Sequence, residues 1–222
     1  MNDRIGEIIE TSTVDFWAES AVLHDLPPLG ALVAVQLPDE LTLYGAVAFG
    51  QTGGIDPGRK AVRRGNDDVY DAAIYAEHPE LNRILRTTFR VAIIGYTEPG
   101  GTPRHHLPPC PPPLHYSVLH CDAGVVRAFT ETPRYLPILA ASDGEVAPEQ
   151  LLAAHIRAVW RGRGHDDAWL AAAGRQVARL FKRDYDRLVT VLEAIDPGDW
   201  SLPPTDNRLN GHGGKPIGTA PL

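Results

Sequence analysis

The chain begins with short apolar stretches broken by polar punctuation. "RIGEIIE" (4–10) is rich in isoleucine, and "VDFWAE" (14–19) sets Val14, Phe16 and Ala18 against Asp15 and Glu19. A period of two marks a strand with one buried face. After an "LPPLG" turn, "ALVAVQL" (31–37) and "LTLYGAVAFG" (41–50) are near-continuous apolar runs, the second with glycines inside it. Glycine within a strand marks a bulge or tight corner, which small closed barrels need. "HPELNRILRT" (78–87) changes period: proline stands at a first helical position, and Leu81, Ile84 and Leu85 follow at i, i+3 and i+4. A short helix is expected there, and "TFRVAIIGY" (88–96) then restores a strand.

Residues 99–113 contain seven prolines and predict an extended strap with few backbone donors. "LHYSVLHC" (114–121) can pair as one more strand. From 147 the pattern turns helical. Leu152, Ile156, Val159 and Trp160 share one face, and Leu170, Val177, Leu180, Phe181, Leu188, Val191, Leu192 and Ile195 share another. Asp166 or Asp167 can cap the second helix, and "DPG" at 196–198 ends it. The expected architecture is α+β: a small antiparallel β-barrel with a short helical insertion over 1–98, a proline-rich strap with one or more strands over 99–146, a helical hairpin over 147–200 and a flexible tail over 201–222. The lack of βαβ alternation excludes a parallel sheet, and no internal repeat is present.

Composition narrows the class. At 222 residues, 43% hydrophobic and 22% charged, the chain can bury a core, and no uninterrupted apolar run reaches membrane-spanning length. "MNDRIGEIIE" is charged where a signal peptide would be apolar, and the two cysteines, Cys110 and Cys121, suit a reducing compartment. A soluble, cytoplasmic protein without membrane contact is expected. The net charge of −7 argues against broad nucleic-acid binding, but it is unevenly spread. Residues 1–98 hold 8 Lys/Arg against 15 Asp/Glu, whereas residues 151–190 hold 8 against 4. Any contact with phosphate is therefore expected in the later segment.

"GGIDPGRKA" (53–61) imitates a phosphate-binding loop. A Walker-type loop needs a Ser or Thr after its lysine to hold magnesium, and a helix whose amides face the phosphates. Here Lys60 is followed by Ala61, Asp56 places a negative charge where phosphate would sit, and Pro57 removes an amide donor. A β-turn through Pro57 and Gly58 is expected instead.

Read in order, "RIGEIIETSTVDFWAE", "PPLGALVAV", "LYGAVAFGQTGGIDPGR", "EHPELNRILRTTFRVAIIGY" and "LPPCPPPLHYSVLHC" resemble the HAS-barrel domain shared by HerA-type DNA translocases and the catalytic subunits of rotary ATP synthases. The resemblance covers residues 3–121. It implies a barrel that helps form a hexameric ring or docks partner proteins. The ATPase core that follows the barrel in the translocases is replaced by helices, which withdraws motor activity. The implied function is a non-enzymatic module, without cofactor, that docks on a HerA-type hexameric ATPase or an associated nuclease, or self-associates. Because the family's loops lie at the barrel rim, the implied interaction residues are Asp56, Pro57, Gly58 and Arg59, with Tyr96 and the strap.

Other chemistry is sparse. His105, His106, Cys110, His115, His120 and Cys121 are zinc-type ligands, but no C-x2-C or H-x3-H spacing occurs; a metal-dependent hydrolase on this strap, or a disulfide between the cysteines, is a remote alternative. The carboxylate pair Asp67 and Asp68, the pair Glu77 and His78, and the few serines form no catalytic arrangement. Arg175, Arg179, Lys182 and Arg183 make a basic stripe at i, i+4, i+7 and i+8. The stripe reads as a solvated face or, as a second function, a contact for DNA phosphate or an acidic protein partner. Phe181 and Tyr185 are expected near the buried face, which argues against base stacking.

Overall fold

A computed structural model describes residues 4–197 except Pro57, Arg59 and Asp67. The expected tail, 201–222, lies outside the described residues. Six strands form a closed antiparallel barrel: β1 (Arg4–Thr11), β2 (Asp15–Ser20), β3 (Leu32–Gln36), β4 (Thr42–Gly54), β5 (Leu85–Thr97) and β6 (Ser117–His120), in the spatial order β1-β2-β5-β4-β3-β6. Closure depends on β6, which pairs with both β1 and β3 and removes their open edges. The barrel therefore ends at His120 rather than near residue 98, and the proline strap is an excursion between two of its strands. Arg104 in the strap exchanges backbone hydrogen bonds of 3.0 and 2.8 Å with Tyr96, which covers part of the β5 edge.

Gly45 lies at a register shift between β4 and β5, where the glycine pattern predicts a bulge. A Cβ there would meet Val91 Cγ1 at 2.3 Å, so only glycine lets the strands approach.

The near-continuous apolar runs have a simple cause. Val33 and Val35 of β3, Leu43 and Val47 of β4, and Val91 and Ile93 of β5 point into the barrel. Leu32, Ala34, Ala46, Ala48, Ala92 and Ile94, on the opposite face of the same strands, pack beneath helices. Strands buried on both faces lose the period-two pattern.

The helical layer comprises α3 (Ala123–Phe129), α4 (Leu136–Ala140), α5 (Pro148–Gly162), α6 (Asp167–Leu180) and α7 (Tyr185–Ala194). α5 is its hub: it touches β3 and the other four helices, and Leu151 through Ile156 are all buried. The expected hairpin over 147–200 is thus three helices, and α3 and α4 add two more within 99–146, where the sequence pattern predicts only the strap and strands. The single helix predicted over 166–195 breaks at Phe181–Asp184; Asp166 caps α6, and Asp184 caps α7 by accepting from the Arg187 amide. A straight helix of that length would run roughly 45 Å and carry Val191 and Ile195 away from α5. The break returns both, with Phe181, to the common core.

No helix among the described residues is long and apolar enough to cross a membrane. Between β4 and β5 stand two short helices, α1 (Ala72–Glu77) and α2 (Leu81–Ile84). α2 is only one turn because Leu85 already enters β5. Leu81 is buried, while Ile84 is exposed.

Candidate interaction surfaces

The β4–β5 hairpin outruns the barrel. β2 follows β5 only as far as the Glu19–Thr88 pair, yet β4 and β5 continue through Thr52–Thr87, Gly53–Arg86 and Gly54–Leu85. These three pairs form a two-stranded ribbon with no neighbour strand on the β2 side. Its base is pinned by polar contacts: the Thr52 and Thr87 hydroxyls lie 2.8 Å apart, and the His24 amide donates to Thr87 Oγ1 at 2.8 Å. His24 Nε2 also bonds the Tyr75 hydroxyl at 2.6 Å, which ties α1 to the barrel.

At the tip, the connection back to α2 and β5 encloses a groove of about 600 Å³. Ile55, Val62, Leu81 and Ile84 supply its apolar wall, and Lys60 and Arg64 lie along it. Val62 is 79% exposed, and Ile55 and Ile84 are each about half exposed. Contiguous apolar side chains left in water beside charges are a common mark of an interaction surface. Arg64 is shared with Glu80 at 3.1 Å, and both side chains are exposed. Of the implied rim residues, Asp56 and Gly58 stand exposed at this tip, whereas Pro57 and Arg59 lie outside the described residues. The Asp56 carboxylate accepts from the Gly58 amide at 3.0 Å. The loop thus satisfies its own amide, as Asp does in turns, and no helix opens behind it before Ala72.

Tyr96 is placed elsewhere. It is 8% exposed, it packs with the barrel interior, and its ring meets His106 edge-on at 5.3 Å. It pairs with Leu43, eleven positions along β4 from Gly54. At a strand's rise, Tyr96 and the glycine loop stand roughly 35 Å apart. The two parts of the implied interaction set are not brought together, and Tyr96 offers little surface to a partner.

The strap's potential ligands also diverge. His105 Nε2 donates to the Phe129 carbonyl at 3.0 Å, His106 Nδ1 donates to the Leu107 carbonyl at 3.1 Å, and His115 pairs with Glu7 at 2.9 Å. Burial holds the His105 imidazole below its usual pKa. Cys121 is buried, which pushes its thiol up to about 12; Cys110 is exposed, and both are free. Among the described residues no three His, Cys, Asp or Glu side chains converge to hold a metal. A second cleft, about 520 Å³, lies between His105, His106, Asp15 and the end of α4. Its imidazoles are engaged with backbone carbonyls, and beside it Arg90 donates to the Asp143 carbonyl and pairs with Asp15.

The four residues of the basic stripe are all exposed. Arg175 and Arg179 project one turn apart from α6, and Lys182 and Arg183 occupy the corner before α7. Sequence periodicity missed the exposure of Tyr185, which at 75% is among the most exposed large side chains described. The helix break at 181–184 is the cause: it buries Phe181 and turns Tyr185 outward, so the two aromatics do not share a face.

No protein-family profile matches this chain, and no curated protein matches it significantly.

Proposed function

We propose that the protein is a non-catalytic docking module whose HAS-like barrel presents the β4–β5 tip to a HerA-type hexameric DNA translocase. The observation that carries this reading is the groove at the end of a ribbon that projects beyond an otherwise closed barrel. A barrel without free edges has few places to engage a partner, and this one leaves Ile55, Val62 and Ile84 in solvent at its most protruding point. Lys60 and Arg64 beside them suit a partner segment that is apolar and flanked by carboxylates. The resemblance of residues 3–121 to translocase barrels supports the choice of partner, and the helical layer in place of an ATPase core supports an accessory role.

The test is co-purification of the full chain with a HerA-type translocase and with an associated nuclease, read by size-exclusion chromatography with light scattering. A complex with the translocase that is lost in Val62→Asp and Ile84→Asp variants of unchanged melting temperature supports the reading. Absence of a complex, capture of the nuclease alone, self-assembly alone, or a complex indifferent to both substitutions overturns it.

A further inference from the structure

The corner between α6 and α7 carries a second surface, independent of the groove. From Ala168 to Arg183 the chain holds four cations, Arg175, Arg179, Lys182 and Arg183, and no carboxylate. All four are exposed, and none makes an ion pair or hydrogen bond among the described residues. Three other arginines of the helical layer are tied down. Arg163 pairs with Asp166 at 2.8 Å, Arg187 pairs with Glu149 and covers the Phe181 ring, and Arg157 donates to the Ala194 carbonyl. The next carboxylates along the chain are Asp184, which caps α7 by accepting from the Arg187 amide, and Asp186 in the first turn of α7, where it suits the helix N-terminus. Two residues after Arg183 comes Tyr185, its ring exposed.

We infer that this corner binds single-stranded nucleic acid, with Arg175, Arg179, Lys182 and Arg183 taking backbone phosphates and Tyr185 stacking on an unpaired base. Cations alone would serve a duplex or an acidic protein equally well. The exposed aromatic two residues after Arg183 favours a single strand, because a duplex hides its base faces and a carboxylate offers no ring to stack. Arg175 and Arg179 lie roughly 6 Å apart along α6, and Lys182 and Arg183 follow at the corner, which fits a site of a few nucleotides. Within a chain of net charge −7, a run of sixteen residues with four exposed cations and no carboxylate is a local positive field that raises the concentration of a polyanion beside it.

The test is fluorescence anisotropy of a dye-labelled oligothymidylate with the full chain. Binding is expected at about 25 mM salt and should weaken with a log–log salt slope of about −3, the value for four neutralised phosphates on a single strand. Tyr185→Ala should weaken it roughly 5- to 150-fold, the factor for loss of one stacked base, and Tyr185→Phe should retain it. Joint reversal of Arg175, Arg179 and Lys182 to Glu should abolish it, while reversal of Arg63 and Arg83 should not. All these positions are exposed, so circular-dichroism melting should be unchanged throughout. No binding at low salt, insensitivity to Tyr185→Ala, equal affinity for duplex or for polyglutamate, or equal loss on reversal of Arg63 and Arg83 would each overturn the inference.

Discussion

Gly30 and His155 lock the barrel to the helical layer. The Gly30 carbonyl, just before β3, accepts a 2.7 Å hydrogen bond from Nδ1 of the fully buried His155 imidazole in the middle of α5. The other ring nitrogen, Nε2, lies 3.1 Å from the hydroxyl of buried Tyr135. Both polar ends of the ring are therefore satisfied inside an apolar cluster, which is the condition for burying an imidazole at small cost.

Gly30 cannot become alanine without damage. Its φ is +80°, and a Cβ would fall 2.3 Å from the His155 backbone nitrogen. Gly30→Ala is expected to cost roughly 2–4 kcal/mol through backbone strain and overpacking. Urea unfolding of the purified variant measures it, and a midpoint equal to wild type refutes the contact.

His155 predicts a pH dependence of stability. Burial lowers its pKa from 6.5 to about 4 in the folded chain, so the unfolded chain binds the extra proton first. Stability is full above about pH 6.5 and is lost as pH falls toward 4, by roughly 3 kcal/mol in total. Half-buried His105, also depressed by desolvation, adds in the same direction. Urea midpoints between pH 7 and 4.5 should fall for wild type and fall less steeply for His155→Gln.

The corner at Phe181–Asp184 rests on a cap. Removing the Asp184 carboxylate, which accepts from the Arg187 amide at 3.2 Å, should cost about 1 kcal/mol, the usual value for an N-cap. Asp184→Ala measured by thermal unfolding checks it; Asp184→Asn should recover most of the loss.

Tyr96 and Val62 should separate stability from docking. Tyr96→Ala empties a barrel-interior site and removes the ring contact with His106 of the strap, at an expected cost of about 3–5 kcal/mol. Val62→Asp changes an exposed side chain and should shift stability by no more than about 0.5 kcal/mol. Parallel melting curves distinguish them, and a stable Tyr96→Ala protein would contradict the interior placement.

The barrel was legible because its signals are local. The alternation in "VDFWAE", the apolar runs of β3, β4 and β5, and Gly45 at its bulge each follow from a few neighbouring residues. The helix break was not legible, because residues 166–195 carry an unbroken helical period and the Asp184 cap takes effect only where packing against α5 ends α6 at Leu180. The same packing turned Tyr185 outward. The groove was half visible: Asp56 and Gly58 marked the loop, but nothing in the letters separates Val62 or Ile84 in water from a core residue.

The order of residues by itself determined the strands of the barrel, the helical character after residue 147, and the imbalance of charge between the first hundred residues and the last helices, since each depends on backbone preference or on a count of side chains. Tertiary structure alone decided that β6 would close the barrel, that one face of β3, β4 and β5 would serve a second core, that Tyr96 would be internal, and that Ile55, Val62 and Tyr185 would meet solvent. Burial is a property of what packs against a residue, and the partners here, such as Gly30 and His155, stand more than a hundred positions apart in the chain.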